Sequence, residues 1–278
     1  MLNFRLGTAT VLAAASAVVF TAAGANLATG QANQPTNPGD DWLAATSKLY
    51  YSTKKAGLAG FDCAVHPDWR SLFLSANNTT TLSAEAEQKV TALNAVAIVV
   101  HAHLDGTANL DWTPPAGAAS SDISQLLNTM RDASTQTLGG FVQFWSPFVD
   151  GSVIPVNSKG LDMGPTADGG MRIHAADKDT DVVEIFGSDR VLKEYDVILA
   201  DAETDFTPEF SQTDQGLVVT HFHAFIKPKA SGAQTLEMQV GVTYSNVDGF
   251  PIPARLDIVE VGQGTFNFTF DTCSVTRQ

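Results

Sequence analysis

The most regular pattern in the chain is a two-residue alternation of apolar and polar side chains that begins near Met171. The apolar positions of its two clearest stretches are Leu236, Met238, Val240, Val242, Phe266, Phe268 and Phe270. Alternate side chains of a strand lie on opposite faces of a sheet, so both stretches predict strands with one buried face. The segments VVEIF, VLKEYDVIL and LVVTHFHAFI predict further strands, and polar runs such as NVDG predict the turns between them.

The first half of the chain has the apolar spacing of helices. One helix is predicted over DWLAATSKLYYSTKK, which starts with an acid and ends with lysines, as the helix dipole favours. A second is predicted from Ser83 through VTALNAVAIVVHAH, which is apolar on nearly every side over residues 90–100. A third is predicted over SDISQLLNTMRDASTQTL, with Gly139 and Gly140 ending it and FVQFWSPFVDG forming a separate short element.

These patterns predict an α+β fold, in which a curved antiparallel sheet in the C-terminal half packs on the N-terminal helices. Residues 41–278 are predicted to form a single domain, mainly helical over 41–160 and an antiparallel sheet over 171–278. Residues 26–40 contain Pro35, Pro38 and Gly39 and few apolar side chains, so they predict a flexible leader.

The first 25 residues are typical of a secretory signal peptide. Arg5 is the only charged residue before Asp40, and an apolar stretch over residues 11–20 is followed by the small residues AAGA. The apolar run is too short to span a bilayer, which needs roughly 18 or more such residues, so the cleaved chain is not expected to be an integral membrane protein. The predicted location is periplasmic or secreted.

The net charge of the chain limits the kinds of molecule that it is expected to bind. The chain has 16 Lys and Arg against 30 Asp and Glu, a net charge of −14. Such a chain is repelled by phosphate backbones and anionic lipid surfaces, so nucleic acid is excluded as an expected partner. Any lipid would be held by apolar burial.

Cys63 and Cys273 are the only two cysteines. An even number of cysteines in a chain predicted to leave the cytoplasm favours one disulfide between them.

The sharpest catalytic pattern is the pair His221 and His223. Positions i and i+2 of a strand share a face, so both imidazoles could reach one metal ion, as in a metal-dependent hydrolase. Against this, the chain has no H-E-x-x-H, and the H-x-H pair at His101 and His103 is predicted at a helix end, where side chains two apart diverge. No G-x-S-x-G and no phosphate-binding loop occurs, so neither an enzyme nor a cofactor is expected.

The C-terminal stretch TLEMQVGVTYSNVDGFPIPARLDIVEVGQGTFNFTFDTCSVTRQ resembles the end of the LolA-like superfamily of periplasmic lipoprotein carriers and outer-membrane lipoprotein-sorting-like proteins. The resemblance lies in a strand ending at Tyr244, the turn Asp248-Gly249, the segment PIPAR and a last strand over residues 264–270.

The resemblance implies a half-barrel packed on helices that shelters acyl chains, and hence a non-enzymatic carrier of a lipid or a lipidated partner, such as a lipoprotein acyl chain. The apolar alternating residues of the two strands would then line its concave face. The alternative is an envelope structural or interaction module in which the same side chains fill a solid core.

Overall fold

The computed structural model describes residues 37–77, 79–117, 120–178, 180–230, 232–262 and 264–278. The predicted signal peptide lies outside the described residues, as does the predicted leader up to residue 36. The last part of that leader is helical, because Asn37 caps a helix that begins at Pro38, a residue well suited to the first helical turn.

The helices are α1 (Pro38–Ser47), α2 (Thr53–Ala56), α3 (Trp69–Ala76), α4 (Ala84–Asn94) and α5 (Ser121–Asp150). The strands are β1 (Leu58–Pro67), β2 (Ala97–His103), β3 (Ala108–Thr113), β4 (Asp162–Pro165), β5 (Met171–Asp177), β6 (Thr180–Phe186), β7 (Leu192–Leu199), β8 (Ala202–Thr213), β9 (Gly216–Pro228), β10 (Leu236–Val247), β11 (Phe250–Glu260) and β12 (Gly264–Arg277).

All twelve strands form one antiparallel, open and curved sheet in the order β3-β2-β1-β12-β11-β10-β9-β8-β7-β6-β5-β4. The predicted α+β class with an antiparallel sheet is therefore confirmed. The sheet is not confined to the C-terminal half as predicted, since β1, β2 and β3 come from the first half of the chain and join the rest where β1 pairs with β12.

The second predicted helix is wrong beyond Asn94. Helix α4 ends there, and residues 97–103 form strand β2, in which Ile98, Val100 and Ala102 are buried. The run is rich in β-branched side chains, which lose rotamer freedom in a helix and pack well on a pleated sheet. His101 and His103 therefore share one face of a strand.

The glycine pair does not end the third helix. Helix α5 runs for 30 residues through Gly139 and Gly140, and FVQFWSPFVDG is its C-terminal part, not a separate element. A glycine inside a helix costs about 1 kcal/mol relative to alanine, but packing overrides this preference because α5 is buried on nearly every side from Leu138 to Val149.

The first predicted helix is two helices. Tyr50 leaves the helical path and forms an isolated parallel bridge with Leu217, a contact that separates α1 from α2. The Ser52 side chain caps α2 by accepting from the backbone N–H of Lys55, and Gly57 ends it in the left-handed conformation (φ 83°).

Aromatic side chains of α5 anchor this helix against the buried face of the sheet. The Phe148 ring contacts Tyr195 on β7, Phe206 on β8 and Phe222 on β9, with ring centroids 5.8 to 6.2 Å apart. The Trp145 indole N–H donates to the Tyr244 hydroxyl (2.8 Å), which donates in turn to the backbone carbonyl of Val219 (2.6 Å). The helix is thereby tied to β9 and β10.

Two further features, a turn and a cysteine pair, have the predicted form. Asp248 and Gly249, at φ 51° and 92°, make a two-residue turn between β10 and β11. Positive φ at both positions is the geometry that matches the twist of a hairpin. The Cys63 and Cys273 sulfur atoms lie 2.08 Å apart, at bonding distance, and link β1 to its neighbour β12.

Candidate functional site

A narrow cleft lies between α5 and the sheet strands β9 to β12. Its unfilled space amounts to about 640 Å³ when the open mouth is counted, but the centre of a water-sized sphere fits in only about 40 Å³ of it. The residues that line it are Ala133, Gln136, Thr137, Gly140, Phe141, Phe144, Phe222, Leu236, Met238, Val240, Ile258, Glu260 and Phe266.

Helix α5 contributes one face to the cleft. Its lining positions recur at spacings of three and four, the period at which helical side chains share a face. Ala133, Thr137 and Gly140 are the members of this face whose side chains are short or missing. Phe141 and Phe144 form the aromatic part of the same wall.

The sheet side contains some of the residues predicted from alternation. Leu236, Met238, Val240 and Phe266 line the cleft. Val242, Phe268 and Phe270 are also buried, at 2%, 2% and 6% exposure, but are not among the described residues that line the cleft. The structure thus brings the first group together at one opening and leaves the second in the packed core.

Glu260 is the only ionisable residue among the described residues that line the cleft. It lies at the end of β11, opposite Met238 of β10 and Gly264 of β12, and only 5% of it is exposed. Its Oε1 atom is buried and has no hydrogen-bond partner among the described residues. Burial disfavours the charged form and raises the pKa of this carboxyl from 4.5 to about 7.

Sequence reasoning missed Glu260 and the α5 wall. The two-residue period of β11 places Leu256, Ile258 and Glu260 on the same buried face, so extending the alternation by one step indicates an inward carboxyl. The α5 wall was hidden by the assumption that Gly139 and Gly140 end the helix. The lining residues of α5 lie on both sides of this predicted helix end, so their helical spacing could not be recognised.

His221 and His223 lie on β9 with their side chains on the face opposite buried Phe222. His223 Nε2 is 2.9 Å from Glu237 Oε1, and His221 Nδ1 is 3.9 Å from Glu209 Oε2. In the described part of the chain, no group of three or more His, Cys, Asp or Glu side chains is arranged to hold a metal ion. Each histidine therefore lies beside a different carboxylate, and the hydrolase alternative has no ligand set among these residues.

On the outer face of the sheet, one histidine contacts two carboxylates at short distances. His101 on β2 lies between two carboxylates, with Nδ1 2.7 Å from Asp62 Oδ1 of β1 and Nε2 3.2 Å from Asp111 Oδ2 of β3. The Asp62 contact is the largest cause of a raised pKa for the His101 imidazole, and Asp111 adds to it. This group spans the three N-terminal strands and lies away from the cleft lining.

Of the helices in the described residues, none is both long enough and apolar enough to cross a membrane. No family model, curated protein or solved structure matches the chain.

Proposed function

We propose that this chain is a non-enzymatic, exported binding or carrier protein that holds a lipid, or the acyl chain of a lipidated partner, in the cleft between α5 and β9 to β12. The observation that carries the proposal is the unfilled apolar space itself. Protein interiors are ordinarily packed to the density of organic crystals, and the small helix residues Ala133, Thr137 and Gly140 leave this one open.

The shape of the cleft favours a thin ligand. Its unfilled space totals about 640 Å³ with the open mouth included, yet the centre of a water-sized sphere fits in only about 40 Å³ of it. A single alkyl chain is the thinnest apolar ligand class, whereas a fused ring system is wider. Each methylene that enters such a lining contributes about 0.8 kcal/mol, so a chain of moderate length is enough for specific binding.

The sequence features that predict export and a LolA-like half-barrel support the same proposal. A carrier located outside the cytoplasm shields an acyl chain from water while moving it, and an open sheet wrapped on a helix has room for this. The resemblance of the β10 to β12 region implies this role, and the cleft is lined by residues of those strands.

The test is calorimetric binding of decan-1-ol, a neutral amphiphile, together with mass spectrometry of lipids extracted from the purified protein. Ala133→Phe places an aromatic ring in the cleft from the helix side and is expected to abolish binding. Thr135→Phe, at an exposed position of the same helix, is the matched control and should leave binding unchanged. Far-ultraviolet circular dichroism checks that both variants are folded.

A charged variant probes the sheet side in the same way. Met238→Asp buries an unpaired carboxylate in the cleft, whereas Gln239→Asp adds the same charge to the exposed face of β10. Equal binding by folded Ala133→Phe, Met238→Asp and the wild type would refute the site.

The narrowness of the cleft also favours a second candidate, an envelope interaction module whose core is effectively filled. In that case the extract contains no lipid and decan-1-ol does not bind. A partner would instead contact the acidic outer surface, and its binding would weaken as salt is added.

A further inference from the structure

Glu260 has an unusual position for a carboxyl group. Only 5% of this residue is exposed, and its Oε1 atom has no hydrogen-bond partner among the described residues. It lies within a lining that is otherwise mostly apolar. Buried polar atoms in native proteins are nearly always hydrogen-bonded, and each exception calls for an explanation. A carboxylate oxygen accepts hydrogen bonds only, so the missing partner is a donor.

The charges around the cleft select the kind of donor. Among the described lining residues, Glu260 is the only ionisable one, and the polar lining residues of α5 are the uncharged Gln136 and Thr137. An anionic head group would therefore meet a carboxyl and no counter-charge. The net charge of −14 adds to this repulsion.

We infer that the cleft takes an amphiphile with a primary ammonium head group, whose N–H donates to Glu260 while its alkyl chain lies against Met238, Phe266 and Phe144. This inference rests on the proposed function, since it specifies the ligand class of the same cleft. An ammonium group carries three N–H donors, so Gln136 and Thr137 offer it further acceptors on the opposite wall.

Protonation of Glu260 sets a pH dependence for this binding. No charged side chain contributes to the raised pKa of this carboxyl; burial alone accounts for it. Its neighbours on the packed elements are Met238 on β10, Gly264 on β12 and the uncharged lining residues of α5. Above about pH 7 the carboxylate is ionised and attracts an ammonium group, whereas at pH 5 it is neutral and offers only a weaker hydrogen bond.

The experiment compares decylamine, decan-1-ol and sodium decanoate, which share one alkyl chain, by calorimetry at pH 5.0 and 8.5 on the folded chain. A hydrogen bond to a charged group predicts that decylamine binds roughly ten- to a hundredfold more tightly than decan-1-ol at pH 8.5. This preference should shrink at pH 5.0, and decanoate should bind more weakly than decan-1-ol at pH 8.5. Decyltrimethylammonium, a cation without N–H donors, should lose most of the preference.

Glu260→Gln is expected to remove the preference for decylamine while keeping the affinity for decan-1-ol, which also shows that the variant is folded. Glu237→Gln is the matched control, because Glu237 lies on the outer face of β10 and pairs with His223. If decan-1-ol binds but decylamine shows no preference, or if the preference persists in Glu260→Gln, the inference is overturned and the proposed function stands. If none of the ligands binds, both fail. The pH series on the wild type decides the question even if Glu260→Gln does not fold.

Discussion

Glu260 makes a quantitative prediction about the ligand-free protein. The folded-state pKa of its carboxyl is raised from 4.5 to about 7. Below about pH 4.5 the group is protonated in both the folded and the unfolded chain, and its contribution to stability is complete. As the pH rises towards 7, the unfolded chain loses this proton while the folded chain retains it, so stability falls.

The size of the effect follows from the width of this interval. The interval from 4.5 to about 7 spans about 2.5 pH units, and each unit corresponds to 1.36 kcal/mol, so the loss is at most about 3 kcal/mol. The mouth of the cleft is open to water, which makes this figure an upper limit. Glu260→Gln removes the titration while nearly keeping the shape of the side chain. The free energy of unfolding of the variant, relative to that of the wild type, should therefore rise by this amount between pH 4.5 and 7.

Urea unfolding at half-unit steps from pH 4 to 8.5 measures the free energy of unfolding of both proteins. The difference between them isolates Glu260 from Glu184 and Asp196, two other carboxyls whose pKa values are raised by burial. Glu237→Gln, on the outer face of the same sheet, should parallel the wild type. A difference between Glu260→Gln and the wild type that is constant from pH 4 to 8.5 would refute the reasoning, since it would mean that the carboxyl titrates normally in the folded chain.

Two further predictions concern the framework. Replacing Cys63 and Cys273 with alanine should lower the free energy of unfolding by up to about 5 kcal/mol in the chain-entropy model, because the bridge closes a separation of 210 residues. Urea unfolding of the wild type with and without dithiothreitol should show the same loss, and no loss on reduction would contradict the bridge. Tyr244→Phe removes both the acceptor of the Trp145 indole N–H and the donor to Val219, so it should cost about 1–3 kcal/mol by the same assay. An unchanged stability would mean that these bonds are replaced by water.

The parts of the fold that follow from local pattern were predictable from the sequence. The alternation of β10 and β12 and the Asp248-Gly249 turn depend on neighbouring residues, and their predicted form matches the structure. The prediction of helices and strands was wrong where contacts between distant segments determine the secondary structure. Residues 97–103 are apolar enough for a buried helix or a buried strand, and pairing with β1 makes them a strand. Gly140 is tolerated inside α5 because the sheet encloses the helix.

The candidate site was only partly visible for the same reason. Strand alternation identifies inward side chains such as Leu236 and Met238, but it does not distinguish those that face a gap from those, such as Phe268, that fill the core. That distinction depends on which helix residue lies opposite. The gap exists where small α5 residues face the sheet, a relation between segments about a hundred residues apart in the chain.

The pairing of β1 with β12 has a consequence for how the chain reaches its fold. Cys63 and Cys273, on these neighbouring strands, are separated by 210 residues, so β1 and the two strands beyond it can join the rest of the sheet only after β12 has been synthesised. Contacts between such distant segments form slowly, because the intervening chain must first be ordered. Until β12 pairs with it, the hydrogen-bonding groups along this edge of β1 can pair with strands of other chains. We therefore expect the pairing of β1 with β12 to be a late step of folding, followed by formation of the disulfide between the two cysteines.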